Sequence, residues 1–256
     1  MLQEKGGAKL PLLRAGGREF ECDAILLDKD GTLLDFKVMW LAWSRYVIDE
    51  IMNGIHYHIK RKVMEMAMGI DLAAWYVDPR GPLAGGTMSG IRKALVKVLL
   101  ECGMAEANAH DLVTEVYQRS EAAMDWGSLT RPLPGLQGQL KKLRFSNFKL
   151  AVVTADITER AKTSLNSLGM INYFDVVIGA DLVENSKPAP DMALLSCRLL
   201  DVKPERAVVI GDTPRDILMA KDAGAGGIGV LSGVCMREQL YAAGADAVIE
   251  SVTDLS

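Results

Sequence analysis

Long apolar runs are missing from this 256-residue chain: none approaches the roughly 18–20 residues that a membrane helix needs. The first 20 residues scatter Lys5, Lys9 and Arg14 among glycines with no apolar centre, so a cleaved export signal is not expected. Cysteine is scarce. Cys22, Cys102, Cys197 and Cys235 are widely spaced, with no CxxC pair and no nearby histidine cluster. That spacing argues against a zinc site and for a reduced, cytoplasmic compartment. Histidine is scarcer still, and His56 and His58, two apart on a helical pattern, point in different directions and make a poor metal pair. Charge of one sign is not in excess either. With 29 basic against 33 acidic residues, interspersed, the net charge is −4, which excludes a basic nucleic-acid binder and an acidic tail.

What remains is the composition of a globular protein: 49% hydrophobic and 24% charged, enough for a sizeable core. At roughly 100–200 residues per domain, the length allows one large or two modest domains. All four tryptophans, all three histidines and eight of the thirteen methionines fall between Phe36 and Ser128. A compositional shift in mid-chain indicates a domain inserted into another: residues 36–128 within a core made of 1–35 and 129–256.

The flanking parts alternate strand and helix patterns. Short β-branched runs at Ala24–Leu27, Leu150–Val153, Val176–Ile178, Ala207–Ile210, Ile228–Leu231 and Ala247–Ile249 have strand length. Helical patterns near Leu136–Phe145, Ile157–Leu168, Asp191–Leu200, Pro214–Ala223 and Met236–Ala243 lie between them. The expected fold class is α/β: a doubly wound, Rossmann-like parallel sheet with helices on both faces. Lys9–Leu13 and Arg18–Cys22, around Gly16-Gly17, read as an extra hairpin. The insertion reads as all helical, with apolar faces at Trp40, Trp43, Val47 and Ile51, at Ile59, Val63 and Met66, at Ile91, Leu95, Val98 and Cys102, and at Ala109, Leu112, Val113 and Val116. Its Trp and Met residues therefore belong to a bundle core rather than a cofactor box.

Chemistry-bearing residues gather at strand ends. Ala24–Leu27 stops on Asp28-Lys29-Asp30-Gly31-Thr32, so Asp28 ends a buried strand where open α/β sheets bind ligands. Asp28 and Asp30, two apart, point to one side. Leu150–Val153 stops on Thr154, beside the start of the next helix, with Asp156 and Glu159 as a capping pair. Lys187 sits in a loop stiffened by Pro188 and Pro190. Val208–Ile210 leads through Gly211 to Asp212, and Thr213, Pro214 and Asp216 suit a helix cap that leaves Asp212 unexplained. If Asp28, Asp30, Asp212 and Asp216 converge, like charges demand proton uptake or a cation, and all-oxygen ligands beside a phosphate favour Mg²⁺. A carboxylate nucleophile, a second carboxylate, a hydroxyl and an ammonium are the parts of a phosphoryl-transfer site. Gly224–Gly229 fits GxGxxG but follows a helix and precedes a strand, the reverse of a dinucleotide fingerprint.

Asp28-x-Asp30-Gly31-Thr32, Thr154, Lys187-Pro188 and Gly211-Asp212-x-x-x-Asp216 resemble the four ordered motifs of the haloacid-dehalogenase-like hydrolase superfamily. The insertion after the first motif resembles its type-1 helical cap, and Pro134-Gly135 resembles the phosphoglycolate-phosphatase-like branch. The resemblance implies Asp28 as nucleophile, Asp30 as acid and base, and Thr154, Ala155 and Lys187 at the phosphoryl group. It also implies Mg²⁺ on Asp28, Asp212, the Asp30 carbonyl and Asp216, this last directly or through water. The implied partner is a small phosphorylated metabolite. Pyrophosphate hydrolysis, mutase activity, and a non-catalytic or receiver-like role stay open as alternatives. Lys29 departs from the usual apolar residue; its side chain either points away or adds positive charge. In the cap, Arg80 and Arg92 bound the segment expected to meet substrate, because its glycines and prolines let a loop face the site. The sequence is silent on oligomeric state.

Overall fold

The computed structural model describes residues 11–56 and 59–256. Strands β1 (Leu12–Ala15) and β2 (Arg18–Glu21) pair antiparallel, Leu12 opposite Glu21. Lys9 of the expected first hairpin strand lies outside the described residues, as does His58. Strand β3 (Ala24–Leu27) follows, and the chain then leaves the sheet for the insertion. There it forms α1 (Phe36–Asn53), α2 (Arg61–Met68), β4 (Ile70–Asp71), β5 (Tyr76–Val77), α3 (Pro82–Gly85), α4 (Met88–Glu101) and α5 (Glu106–Ala123). It returns through α6 (Leu136–Phe145), β6 (Lys149–Val153), α7 (Thr158–Ser167), β7 (Val176–Ile178) and α8 (Asp191–Leu200). Strand β8 (Ala207–Gly211), α9 (Pro214–Ala223), β9 (Gly226–Val230), α10 (Arg237–Ala242) and β10 (Ala247–Ile249) complete it.

Six strands make one parallel sheet in the order β10-β9-β8-β3-β6-β7. The first of them to form in sequence, β3, lies in the middle; the chain builds outward to β6 and β7, then crosses to β8 on the other side. That reversal makes the carboxyl end of β3 the topological switch point, where such sheets bind ligands. Strand β3 is buried on both faces. Ile25 and Leu27 pack with Leu136, Leu140, Val152 and Ile210, whereas Ala24 and Leu26 pack with Met192, Ala193, Met219 and Ala220. The two-residue period of the strand sorts its side chains between two helical layers.

The insertion has its own core, in which Trp43, Val47, Leu95, Leu99 and Val113 are buried together. The Trp43 indole N–H donates to Ser120 Oγ at 3.2 Å, and its ring meets Tyr117 edge-on at 5.2 Å. Asp35 starts α1 by accepting the N–H groups of Lys37 and Val38. The insertion is not all helical. Asp71 accepts the N–H groups of Ala73 and Ala74, turning the chain so that Ile70–Asp71 and Tyr76–Val77 pair as a short antiparallel ribbon. Helix α2 also presents a different face from the expected one. Met64 and Met68, four apart, are buried, while Val63 and Met66 are exposed. Residues before Arg61 are not in the helix, so a periodicity counted from Ile59 started on the wrong turn.

Candidate active site

Four loops bring the site together at one edge of the sheet. Asp28 directly follows β3, and its N–H continues the ladder to Ile210 O at 2.8 Å. Thr154 follows β6 and is likewise tied to Ile178 O, at 3.0 Å. Asp212 follows β8, Asp216 lies in the first turn of α9, and Lys187 comes from the loop before α8. Carboxylate oxygens of Asp28, Asp212 and Asp216 lie within 4.8 Å of one another, all buried. Lys187 Nζ donates to Asp28 Oδ1 at 2.6 Å and to Asp216 Oδ1 at 2.5 Å. The second oxygen of Asp216 accepts the Thr213 N–H and hydroxyl, so Asp216 is both cap and site residue. Glycines let these groups approach. A Cβ on Gly31 or Gly233 would run into the Asp212 carboxylate, and Gly31 also holds φ at +91°.

The charge balance is unfavourable without a cation. Both oxygens of Asp212 are buried and without a hydrogen-bond partner among the described residues. Burial, and then the charges of Asp28 and Asp216, push its carboxyl well above the usual range. Asp28 is pushed up to about 7, chiefly by burial, with Lys187 opposing and Asp216 and Asp30 reinforcing. Lys187 stays a cation: burial alone would lower it, but Asp216 and Asp28 outweigh that and raise it. An orphaned, buried, all-oxygen acid set fits a hard divalent cation such as Mg²⁺.

A stability prediction follows from Asp28. The metal-free fold retains a proton that the unfolded chain releases near 3.8, so folding binds protons between that value and about 7. Its stabilising contribution is full below the lower value and lost as pH rises through the upper one. A divalent cation held by these carboxylates would relieve the repulsion that is then exposed. The rise in melting temperature on adding Mg²⁺ to chelator-treated protein is expected to be larger near about pH 8 than near about pH 5 in calorimetric melts.

Thr154 is buried, and its Oγ1 accepts the Asp156 N–H at 3.1 Å, leaving the hydroxyl proton for an anion. Together with Ala155, Asp30 and Lys187 it lines a cleft of about 460 Å³. The insertion supplies the other wall: Phe36, Trp40, Leu83, Ala84, Gly85, Gly86, Thr87, Met88, Ser89 and Ile91. The segment between Arg80 and Arg92 thus faces the cleft, but neither arginine lines it. Arg80 is exposed, with its N–H turned to Asp78 at 2.9 Å. Arg92 lays its guanidinium over the Tyr117 ring at 4.4 Å.

Three features of the site escaped the sequence reading. Lys29 is wholly buried; its Nζ donates to Asp30 Oδ1 at 2.8 Å and lies 3.2 Å from Asp156 Oδ2. Alternation along a strand buried on both faces was the available signal, since it sends position 29 inward when 28 and 30 face the cleft. Asp156 does not cap α7 with Glu159. It pairs with Lys29 and with Arg160 Nε at 2.7 Å, and Asp181 instead accepts the Thr158 N–H and hydroxyl. Arg215 donates to Gly86 O at 3.0 Å and to Lys187 O, linking insertion and motif-three loop.

A family model described as haloacid dehalogenase-like hydrolase matches residues 22–224. The phosphoglycolate phosphatase of Aquifex aeolicus is 30% identical over 200 residues, covering 78% of this chain and 80% of its own. The pyrophosphatase PpaX of Bacillus pumilus is 25% identical, covering 93% and 96%. A shorter match, 37% identical, spans only 53% of a Dickeya dadantii protein. Among solved structures, a predicted phosphoglycolate phosphatase from Haemophilus somnus superposes with a TM-score of 0.70 at 19% identity, covering 91% of this chain and 96% of that one. Its likeness extends to the fold. The family match covers strands β3, β6, β7 and β8, the insertion and all four loops of the site: the chain belongs to the haloacid dehalogenase-like hydrolases, in their phosphoglycolate-phosphatase-like branch.

Proposed function

We propose that this hydrolase is a Mg²⁺-dependent phosphatase that cleaves a small phosphate monoester through a phosphoryl group carried on Asp28. The observation that carries this reading is the pairing of Lys187 with Asp28 and Asp216, next to an Asp212 carboxylate without a hydrogen-bond partner among the described residues. Asp28 would attack phosphorus, the bond from phosphorus to the leaving oxygen would break, and Asp30 would give that oxygen its proton. Asp30, now a carboxylate, would take a proton from water as the water oxygen attacks phosphorus. The acyl–phosphate bond then breaks, freeing phosphate and Asp28. Lys187 and the Thr154 hydroxyl would hold the phosphoryl oxygens. Asp28, Asp212 and the Asp30 carbonyl would hold Mg²⁺, with Asp216, already engaged by Lys187 and Thr213, behind them. When bound, the ion offsets the charge of nucleophile and phosphoryl group.

The cleft also bears on the leaving group. The insertion lines it with apolar groups and two hydroxyls and no charged side chain. Of the core-side arginines, Arg160 is paired with Asp156 and Glu121, and Arg215 is engaged by two carbonyls. An uncharged alcohol of sugar or aryl size suits this wall better than a second phosphate or a carboxylate. Phosphate release with Mg²⁺ is expected for aryl and sugar phosphates, with kcat/KM at least about tenfold above those for pyrophosphate and phosphoglycolate. No release from any ester in a broad panel would overturn the reading.

A further inference from the structure

Lys29 lies between Asp28 and Asp30 in the first motif, yet its side chain enters neither the cleft nor the acid cluster. Its ammonium is sealed beneath the site at 0% exposure, between two carboxylates. Both carboxylates belong to residues that line the cleft, Asp30 at the end of β3 and Asp156 after β6. Burying a lysine is costly unless it is fully paired, and an apolar residue here would fill a core position without that cost. A buried pair of this kind does little for stability by itself, but it restricts the side chains it joins. Asp30 has its Oδ1 taken by Lys29, and no side chain engages Oδ2 among the described residues. Lys29 is itself fixed from behind. Asp156 Oδ1 is 2.7 Å from Arg160 Nε, and Arg160 pairs with Glu121 at 3.1 Å and lies over the Trp126 ring at 4.4 Å. Glu121 is on α5 of the insertion, so the chain of contacts runs from Asp30 into the insertion.

We propose that Lys29 is a positioning residue for proton transfer: gripped between Asp30 and Asp156, it holds Asp30 by Oδ1 so that Oδ2 is the oxygen that meets the leaving group. This rests on the phosphatase reading, in which Asp30 donates that proton. A misplaced Asp30 matters most when the leaving alcohol is a poor one, because an aryl alcohol departs with little help from an acid. A merely structural lysine would have no such selectivity.

The test compares the rate of the first, ester-cleaving step for an alkyl phosphate and for p-nitrophenyl phosphate, in wild type, Lys29→Met, Lys29→Arg and Asp156→Asn. Lys29→Met is expected to slow alkyl ester cleavage by about 10²-fold and aryl ester cleavage by less than about fivefold, with KM changed less than about twofold. Lys29→Arg is expected to restore part of the alkyl rate. Asp156→Asn, isosteric and one anchor short, is expected to show the same selectivity at about tenfold, and it carries the test if Lys29→Met does not fold. Equal loss on both esters, or no loss, would overturn the role of Lys29 while leaving the phosphatase reading intact. An inactive wild-type protein would overturn both.

Discussion

Asp28→Asn is expected to abolish turnover, by at least about 10⁴-fold, and to make the metal-free protein more stable rather than less at neutral pH. The catalytic half of this expectation comes from chemistry: an amide oxygen is too weak a nucleophile to displace an alcohol from phosphorus. The stability half comes from the environment. Burial and neighbouring acids push Asp28 up to about 7, so above that pH the fold carries a carboxylate that it disfavours. The amide removes that charge, and its oxygen still accepts from Lys187. The gain should vanish below about pH 3, where Asp28 is protonated in fold and unfolded chain alike. Phosphate release with Mg²⁺, and melts in chelator at both pH values, check the two halves. More than about one part in a hundred of wild-type turnover would rule out attack by Asp28.

The central strands were legible because β3, β8 and all of β6 beyond Lys149 are apolar and buried, and each stops abruptly. Asp212 stood out as a carboxylate that the adjacent helix cap does not use, and Asp28 as one that ends a buried run, although Asp30-Gly31 alone reads equally well as an ordinary turn. Thr154 and Lys187 gained meaning only beside these two, since a hydroxyl at a strand end or a lysine in a proline loop has ordinary explanations. What could not be read was pairing between distant segments. Asp156 precedes α7 at capping distance from Glu159, yet it faces Lys29 and Arg160, and the cap on Thr158 comes from Asp181, 23 residues beyond that threonine. In the insertion, Arg80 and Arg92 were singled out for charge. The chain instead turns Leu83 and Ile91 to the cleft, because apolar groups on this wall pack with Phe36 and Trp40 rather than expose themselves. Local pattern thus fixes which backbone reaches the site, while the partner of a charged side chain is a property of the assembled fold.

Asp30→Asn separates the two halves of the proposed reaction. Turnover is expected to fall by about 10³-fold, and the aryl ester should release its alcohol in a burst of close to one equivalent before stopping. Asp28 is untouched in this variant and can still attack when the leaving group needs no proton. The phosphoryl group should then stay on the protein, because water has lost the carboxylate that would take its proton. The asparagine oxygen can still accept from Lys29, so the buried ammonium keeps a partner and the fold is expected to hold. Quenched-flow measurement of alcohol, together with intact-protein mass, reads both the burst and the trapped phosphoryl group. Asp28→Asn should give neither, which separates loss of the nucleophile from loss of the base. Sustained turnover of the aryl ester without retained phosphate would mean that Asp30 serves the first step alone, and that another group activates the water.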